Sequence, residues 1–251
     1  MMFTRVISRH PWGFFQRNIL QQAHQTKRLK ATGIEKPPTY DEALSILKTF
    51  MMKGPGAERT TELYDVTASK YDQYVEVVRA RTHSELAKAV SAVLGNNFQA
   101  KIIDVCAGSG LSGLWIHRAG YRNIDGIDVS QGMLDVAREK GVYGDLICQR
   151  LGDLPLPFDD RTYDMASMGA AYGENHMPME ALPHIIRVVK PGGYIVNVFR
   201  EEALRSSIYG EGLDPYMKQL EAEGLWKEER RELFNYLIHD VVGIVLVHKV
   251  L

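Results

Sequence analysis

The chain has 251 residues, 45% of them hydrophobic and 24% charged, an ordinary globular balance with length for one sizeable core. Its 30 Lys and Arg nearly cancel 31 Asp and Glu, leaving a formal net charge of −1, so the basic excess of a whole-protein nucleic-acid grip is excluded. No apolar run approaches the roughly 20 residues of a membrane span, and the two cysteines, Cys106 and Cys148, form neither a CxxC pair nor a Cys/His zinc spacing and read as small buried hydrophobes.

Residues 1–34 contain no acid but carry Arg5, Arg9, Arg17, Lys27, Arg28 and Lys30, interleaved with apolar residues. Such an acid-free amphipathic start is what a mitochondrial transit peptide requires; without import the chain stays cytoplasmic. Pro37-Pro38 ends this stretch, and Thr39 with Glu42 predicts a capping box opening a helix to about residue 52. Its apolar face is Ala43, Leu44, Leu47, Phe50 and Met51, and Gly54-Pro55-Gly56 stops it. Residues 1–57 thus read as a basic extension plus a short helix, and 58–251 as the main domain.

Regular alternation follows. Helices are expected over 64–80 and, behind a Thr82/Glu85 capping box, over 82–94. Then come a buried strand at 101–106, a helix at 111–119, a strand at 123–128, a helix capped by Ser130, and strands at 145–150 and 163–168. A helix over 179–189, a strand at 194–199, a helix opened by Asp214-Pro215, and two final strands at 231–239 and 242–250 complete the pattern. Strands alternating with helices give an α/β, doubly wound Rossmann-like sheet; the short last turn makes it mostly parallel with one antiparallel strand near the C-terminus.

In such a sheet a nucleotide-like ligand binds beyond the carboxyl ends of the strands. The first strand runs into Ala107-Gly108-Ser109-Gly110, and the second ends in Asp128, whose carboxylate suits ribose hydroxyls. Gly108-Ser-Gly110-Leu-Ser-Gly113 also matches GxGxxG, so an NAD-dependent oxidoreductase is a genuine alternative. Three features oppose it. Asp104 precedes the glycines, where a pyrophosphate would be repelled. Asp153 follows the third strand, and the antiparallel tail leaves little room for a separate substrate domain.

Four motifs occur in order: Asp104-Val-Cys-Ala-Gly108-Ser-Gly110, Gly126-Ile-Asp128-Val-Ser-Gln-Gly-Met133-Leu, Gly152-Asp153-Leu-Pro-Leu-Pro-Phe158, and Val189-Lys-Pro-Gly-Gly193. Over residues 60–251 the chain resembles the class I S-adenosylmethionine-dependent methyltransferases. The resemblance implies that Gly108, Ser109 and Gly110 pass the methionine end of S-adenosyl-L-methionine and that Asp104 faces its ammonium, directly or through water. It further implies that Asp128 binds ribose, Met133 packs on adenine, Asp153 and the Leu154 backbone read the adenine edge, and Tyr64 and Tyr71 lid the cofactor.

The loop after the fourth strand, Gly169-Ala-Ala-Tyr172-Gly-Glu174-Asn175-His176, is where an acceptor would bind. His176 is the candidate base, and Tyr172, Glu174 or Asn175 would orient the acceptor; Asn175 and His176 equally suit a helix cap. The loop lacks the Asn-Pro-Pro-Tyr arrangement used on planar amines of bases, so the expected acceptor is a small molecule rather than nucleic acid, with a protein side chain second. No Cys or His cluster suggests a metal. A noncatalytic cofactor- or partner-binding protein on the same fold is the remaining alternative; Leu or Phe side chains plugging this loop would favour it.

Overall fold

A computed structural model describes residues 36–251 apart from 52, 53, 55, 153, 211 and 237–240. The basic N-terminal stretch and Asp153 therefore lie outside the described residues.

Helix α1 (Tyr40–Thr49) is capped as its sequence requires: Glu42 N–H donates to Thr39 Oγ1, and Thr39 N–H donates to Glu42 Oε2. Its buried face packs Ala43, Ile46, Leu47 and Phe50 against Tyr74, Val75 and Val78 of the α2 region, α2 spanning Ala57–Val77. Helix α2 begins a full two turns before Tyr64, immediately after Gly56; its first turns are polar and carry no apolar periodicity, which is why the pattern shows only from Tyr64. Helix α3 (Thr82–Leu94) lacks the expected capping box. Thr82 is its first helical residue and is buried, and Glu85 turns instead to Arg81 and Lys88.

The sheet then assembles from β1 (Lys101–Val105), β2 (Asn123–Asp128), β3 (Leu146–Cys148), β4 (Tyr163–Gly169), β5 (Val189–Arg200), β6 (Trp226–Asn235) and β7 (Val242–Val250). Helices α4 (Leu111–Arg118), α5 (Gln131–Glu139), α6 (Leu182–Val188) and α7 (Leu213–Ala222) connect them. Strand order is β3-β2-β1-β4-β5-β7-β6. Among the described residues only β7 runs against the others, since it pairs antiparallel with both β5 and β6. The expected single reversed strand is therefore present. Ile102, Ile103 and Val105 of β1 are fully buried, as befits a central parallel strand covered on both faces.

Four local expectations shift, one of them the strand expected from residue 231, which starts at Trp226 as β6. Strand β5 starts at Val189 because Lys190-Pro191-Gly192-Gly193 forms an irregularity within the strand rather than a turn before it; a Cβ on Gly193 would lie 2.7 Å from the Asp164 carbonyl oxygen. Helix α7 starts at Leu213 behind Gly212, so Asp214 lies inside its first turn, where it pairs with Arg231 and Lys218 instead of capping. Cys148 is exposed rather than buried, because β3 is a short edge strand; Cys106 is half-buried, and both are free. Order reverses around β1, with β2 on one side and β4 on the other, so the switch point opens above the carboxyl end of β1.

Candidate functional site

At that switch point lies a cavity of about 330 Å³, within the range of small-molecule sites. Its floor is the turn after β1. Gly108 adopts φ +54°, and a Cβ added there would meet nothing within 4 Å, so the bare backbone faces open space. Gly108 N–H donates to Asp128 Oδ2 at 2.9 Å, and Ser130 N–H donates to Oδ1 at 2.9 Å. Asp128 is thus fixed at the tip of β2 against the cavity, with lone pairs left over for a ligand. Burial raises its pKa, and the backbone donors oppose that shift.

The roof is α2, which contributes Tyr64 and Tyr71. Phe50 stacks on Tyr64 with centroids 4.2 Å apart. Two contacts clamp this roof onto the domain. Asp65 accepts from Ser130 Oγ at 2.6 Å and from Gly132 N–H at 2.9 Å, where a carboxylate also suits the α5 N-terminus. Lys140 pairs with Asp72 at 2.7 Å and donates to the Ser109 carbonyl at 2.6 Å.

Of the residues singled out from sequence, Tyr64, Tyr71, Gly108, Ser109, Asp128, Met133, Asn175 and His176 line this cavity. Asp104, Gly110, Leu154 and Tyr172 do not. Asp104 is fully buried behind the turn: Tyr143 Oη donates to its Oδ2 at 2.7 Å and Ser167 Oγ to its Oδ1 at 3.2 Å. Gly110 is in the left-handed region at φ +84°, and a Cβ there would meet Ala137 and Tyr143 at 2.9 Å. Gly113 leaves room for the same ring, since its Cβ would lie 2.3 Å from Tyr143. The second and third glycines of the motif therefore seat a tyrosine rather than a ligand. Leu154 is 67% exposed. Tyr172 turns into the core against Phe199 and Tyr209, because the extended β5 and the turn after it supply an aromatic pocket there.

Sequence reading missed His83 and Ser112, whose Nδ1 and Oγ lie 2.9 Å apart in the cavity wall, and Tyr143 behind it. Burial lowers His83 to about 4, so it is neutral at physiological pH. The loop 169–176 presents Gly169, Ala170, Ala171, Asn175 and His176 to the cavity; the leucines that line it, Leu111 and Leu151, come from other segments and leave a volume of about 330 Å³ open. Its Ala170 and Asn175 sit in the left-handed region, at φ +58° and +64°, as does Cys106 at +59°; strained non-glycine backbone thus gathers at this cavity.

Burial raises Asp104 to about 7, the Asp128 charge pushing the same way while the Tyr143 and Ser167 hydrogen bonds pull it down. A raised folded-state pKa favours the fold below the ordinary carboxylate value, and that contribution is lost as pH rises through about 7. A cationic ligand in the cavity favours ionised Asp104 and Asp128. Binding of a cationic ligand is therefore expected to release protons near pH 7 and to tighten as pH rises through it. Calorimetry in two buffers of different ionisation enthalpy measures this; heats independent of buffer would show that neither carboxylate senses the ligand's charge.

The model of the ubiE/COQ5 methyltransferase family matches residues 52–224, a stretch that runs from the end of the α1 region through the cavity to α7. The chain belongs to the ubiE/COQ5 methyltransferase family. It is 30% identical to methyltransferase-like protein 27 of Homo sapiens over 174 residues, 69% of this chain and 70% of that one. It is also 30% identical to demethylmenaquinone methyltransferase of Staphylococcus aureus over 144 residues, 55% of this chain and 59% of that protein. Among solved structures, the cyclase SpnF superposes with a TM-score of 0.59 at 19% identity, covering 78% of this chain and 97% of that one. A Thermotoga maritima S-adenosylmethionine-dependent methyltransferase superposes at 0.51 and 16% identity, covering 75% and 98%. These last two likenesses concern the fold alone. The chain is an S-adenosylmethionine-dependent methyltransferase, and the GxGxxG match does not make it a dinucleotide oxidoreductase. Its third glycine makes room for Tyr143, and the buried Asp104 carboxyl backs the turn where a pyrophosphate would sit. Among the described residues no group of His, Cys, Asp and Glu is placed to hold a metal, and no helix is long and apolar enough to cross a membrane.

Proposed function

We propose that this methyltransferase binds S-adenosylmethionine in the 330 Å³ cavity and methylates a small aromatic molecule carrying a hydroxyl group. The observation that carries the reading is the cavity's mixed lining. Asp128, bare Gly108 and the buried Met133 suit ribose, the methionine moiety and adenine, and Gln149 and Leu151 line the same cavity. The rings of Tyr64 and Tyr71, whose faces favour a sulfonium, line it too, as do His176 and Asn175. Asp104 adds negative potential from behind the turn without touching the cavity. Asp153 keeps its proposed part at the adenine edge.

S-adenosylmethionine supplies an activated methyl group when bound. The chain's own contribution is to hold the acceptor in line with it, to exclude water, and to take a proton where the nucleophile is protonated. Phe50, just after α1, backs the Tyr64 ring of the α2 roof, and a roofed cavity suits a small acceptor better than a side chain of a folded protein. Demethylmenaquinone methyltransferase, among the relatives, is named for a ring substrate.

The test is incubation of the chain with methyl-labelled S-adenosylmethionine and a metabolite extract, read by mass. Label in a hydroxylated aromatic compound is expected. Label confined to macromolecules would overturn the small-acceptor reading.

A further inference from the structure

Two cavities share one wall. Behind the larger cavity lies a smaller one of about 70 Å³, and Tyr64, Tyr71, His83, Ala170 and His176 border both. In this shared wall Tyr64 Oη and His176 Nε2 are 2.8 Å apart, with the two rings edge to face. His176 Nδ1 lies 2.8 Å from the Glu174 carbonyl oxygen. A carbonyl only accepts, so Nδ1 carries the hydrogen and Nε2 presents its lone pair. Tyr64 is therefore the donor. The loop that fixes this tautomer is itself tied down, since Gly54 N–H donates to Glu174 Oε1 at 2.9 Å.

Burial holds His176 below its ordinary value and pushes the Tyr64 phenol well above its own. Tyr64 thus does not ionise by itself, and His176 is neutral and ready to accept. A phenol in that position gives up its hydrogen only as it receives another. The smaller cavity has the lining for a ring beside this phenol: Phe50, Tyr71, Tyr172 and Tyr236 are its aromatic walls. Tyr172 is 3% exposed, and its buried Oη has no protein partner among the described residues, which leaves an unanswered polar group for a ring substituent.

We infer that Tyr64 and His176 form a proton relay serving an acceptor hydroxyl placed where the two cavities meet, with Tyr64 Oη, rather than His176, in contact with that hydroxyl. This rests on the reading of a small hydroxylated aromatic acceptor. The acceptor O–H proton passes to Tyr64 Oη as the Tyr64 hydrogen passes to His176 Nε2. The acceptor oxygen forms its bond to the methyl carbon while the carbon–sulfur bond breaks, the electron pair staying on sulfur. His176 is left as imidazolium, its Nδ1–H still on the Glu174 carbonyl, and returns the proton to water after the product leaves.

The test uses two probes with one ring system. 2-Naphthol must lose a proton to become a good nucleophile, whereas 2-naphthalenethiol is largely ionised at neutral pH and needs no base. Wild type, Tyr64→Phe and His176→Gln are assayed with both probes and S-adenosylmethionine. The ratio of naphthol to thiol turnover is expected to fall about a hundredfold in each variant, the scale of general-base catalysis. Equal losses on both probes, or a changed ratio in only one variant, would reduce the pair to a structural contact. A wild type that methylates the thiol but never the naphthol would overturn the relay and leave the aromatic-acceptor reading standing. A wild type that methylates neither would remove that reading and the relay with it. Independently of turnover, nitrogen NMR of the ligand-free chain should show His176 protonated at Nδ1, with its Nε2 resonance moving in Tyr64→Phe. The opposite tautomer would rule the relay out.

Discussion

Replacing Asp128 with alanine is expected to weaken S-adenosylhomocysteine binding by about a hundredfold or more. Hydrogen bonds from a ligand's hydroxyls to a carboxylate are each worth about 1.5–3 kcal/mol, and about 1.4 kcal/mol is tenfold in Kd. The structure adds a second consequence. Asp128 also accepts from Gly108 N–H and Ser130 N–H, so alanine frees two backbone donors and loosens the turn that forms the cavity floor. Asp128→Asn retains one of the two acceptor oxygens and should fall between wild type and alanine in both affinity and thermal stability. Calorimetric titration with circular dichroism checks both. Unchanged affinity in Asp128→Ala with the fold intact would remove Asp128 from the site.

Gly113→Ala is expected to destabilise the chain by about 2–4 kcal/mol, although it adds only a methyl group. The new Cβ would lie 2.3 Å from Tyr143, a distance no rotamer adjustment at residue 113 relieves. Tyr143 must move, and its hydroxyl then stops donating to Asp104 and accepting from Gly113 N–H, which leaves a buried carboxyl short of a partner. At this chain length the fall in Tm is about 5–15 °C. Trimming the ring with Tyr143→Leu should be costly alone yet recover part of the Gly113→Ala loss in the double variant, a coupling that denaturation midpoints measure. Additive losses would show that the ring is not what Gly113 accommodates.

Much of the fold was legible because its signals are local. Strand β1 is a buried apolar run, Ser130 caps α5 by accepting from Met133 N–H, and Thr39 with Glu42 closes the box that opens α1. The failures share a cause: tertiary partners claimed residues that local rules assign to caps and turns. Glu85 went to Arg81 and Lys88, Asp214 to Arg231 and Lys218, and the residues after Val189 were absorbed into β5 by its pairing with β4.

The site shows the same division. Asp128, Gly108 and Met133 reach the cavity because each has a fixed place relative to its own strand. Asp104 obeys that rule too, but its side chain is intercepted by Tyr143, 39 residues later, and no sequence periodicity reports such a contact. His83 was invisible for a similar reason: it opens α3 as an ordinary helix residue and gains its role only where α3 crosses Ser112. Tyr64 and His176, 112 residues apart in sequence, were each singled out separately, and only the fold makes them a pair.

The most direct measurement is a side-by-side titration of the full chain with S-adenosylhomocysteine and with NAD. A cavity floored by bare Gly108, walled by Asp128 and roofed by tyrosines predicts saturable binding of S-adenosylhomocysteine and none of the dinucleotide. Saturable NAD binding with no response to S-adenosylhomocysteine would contradict it.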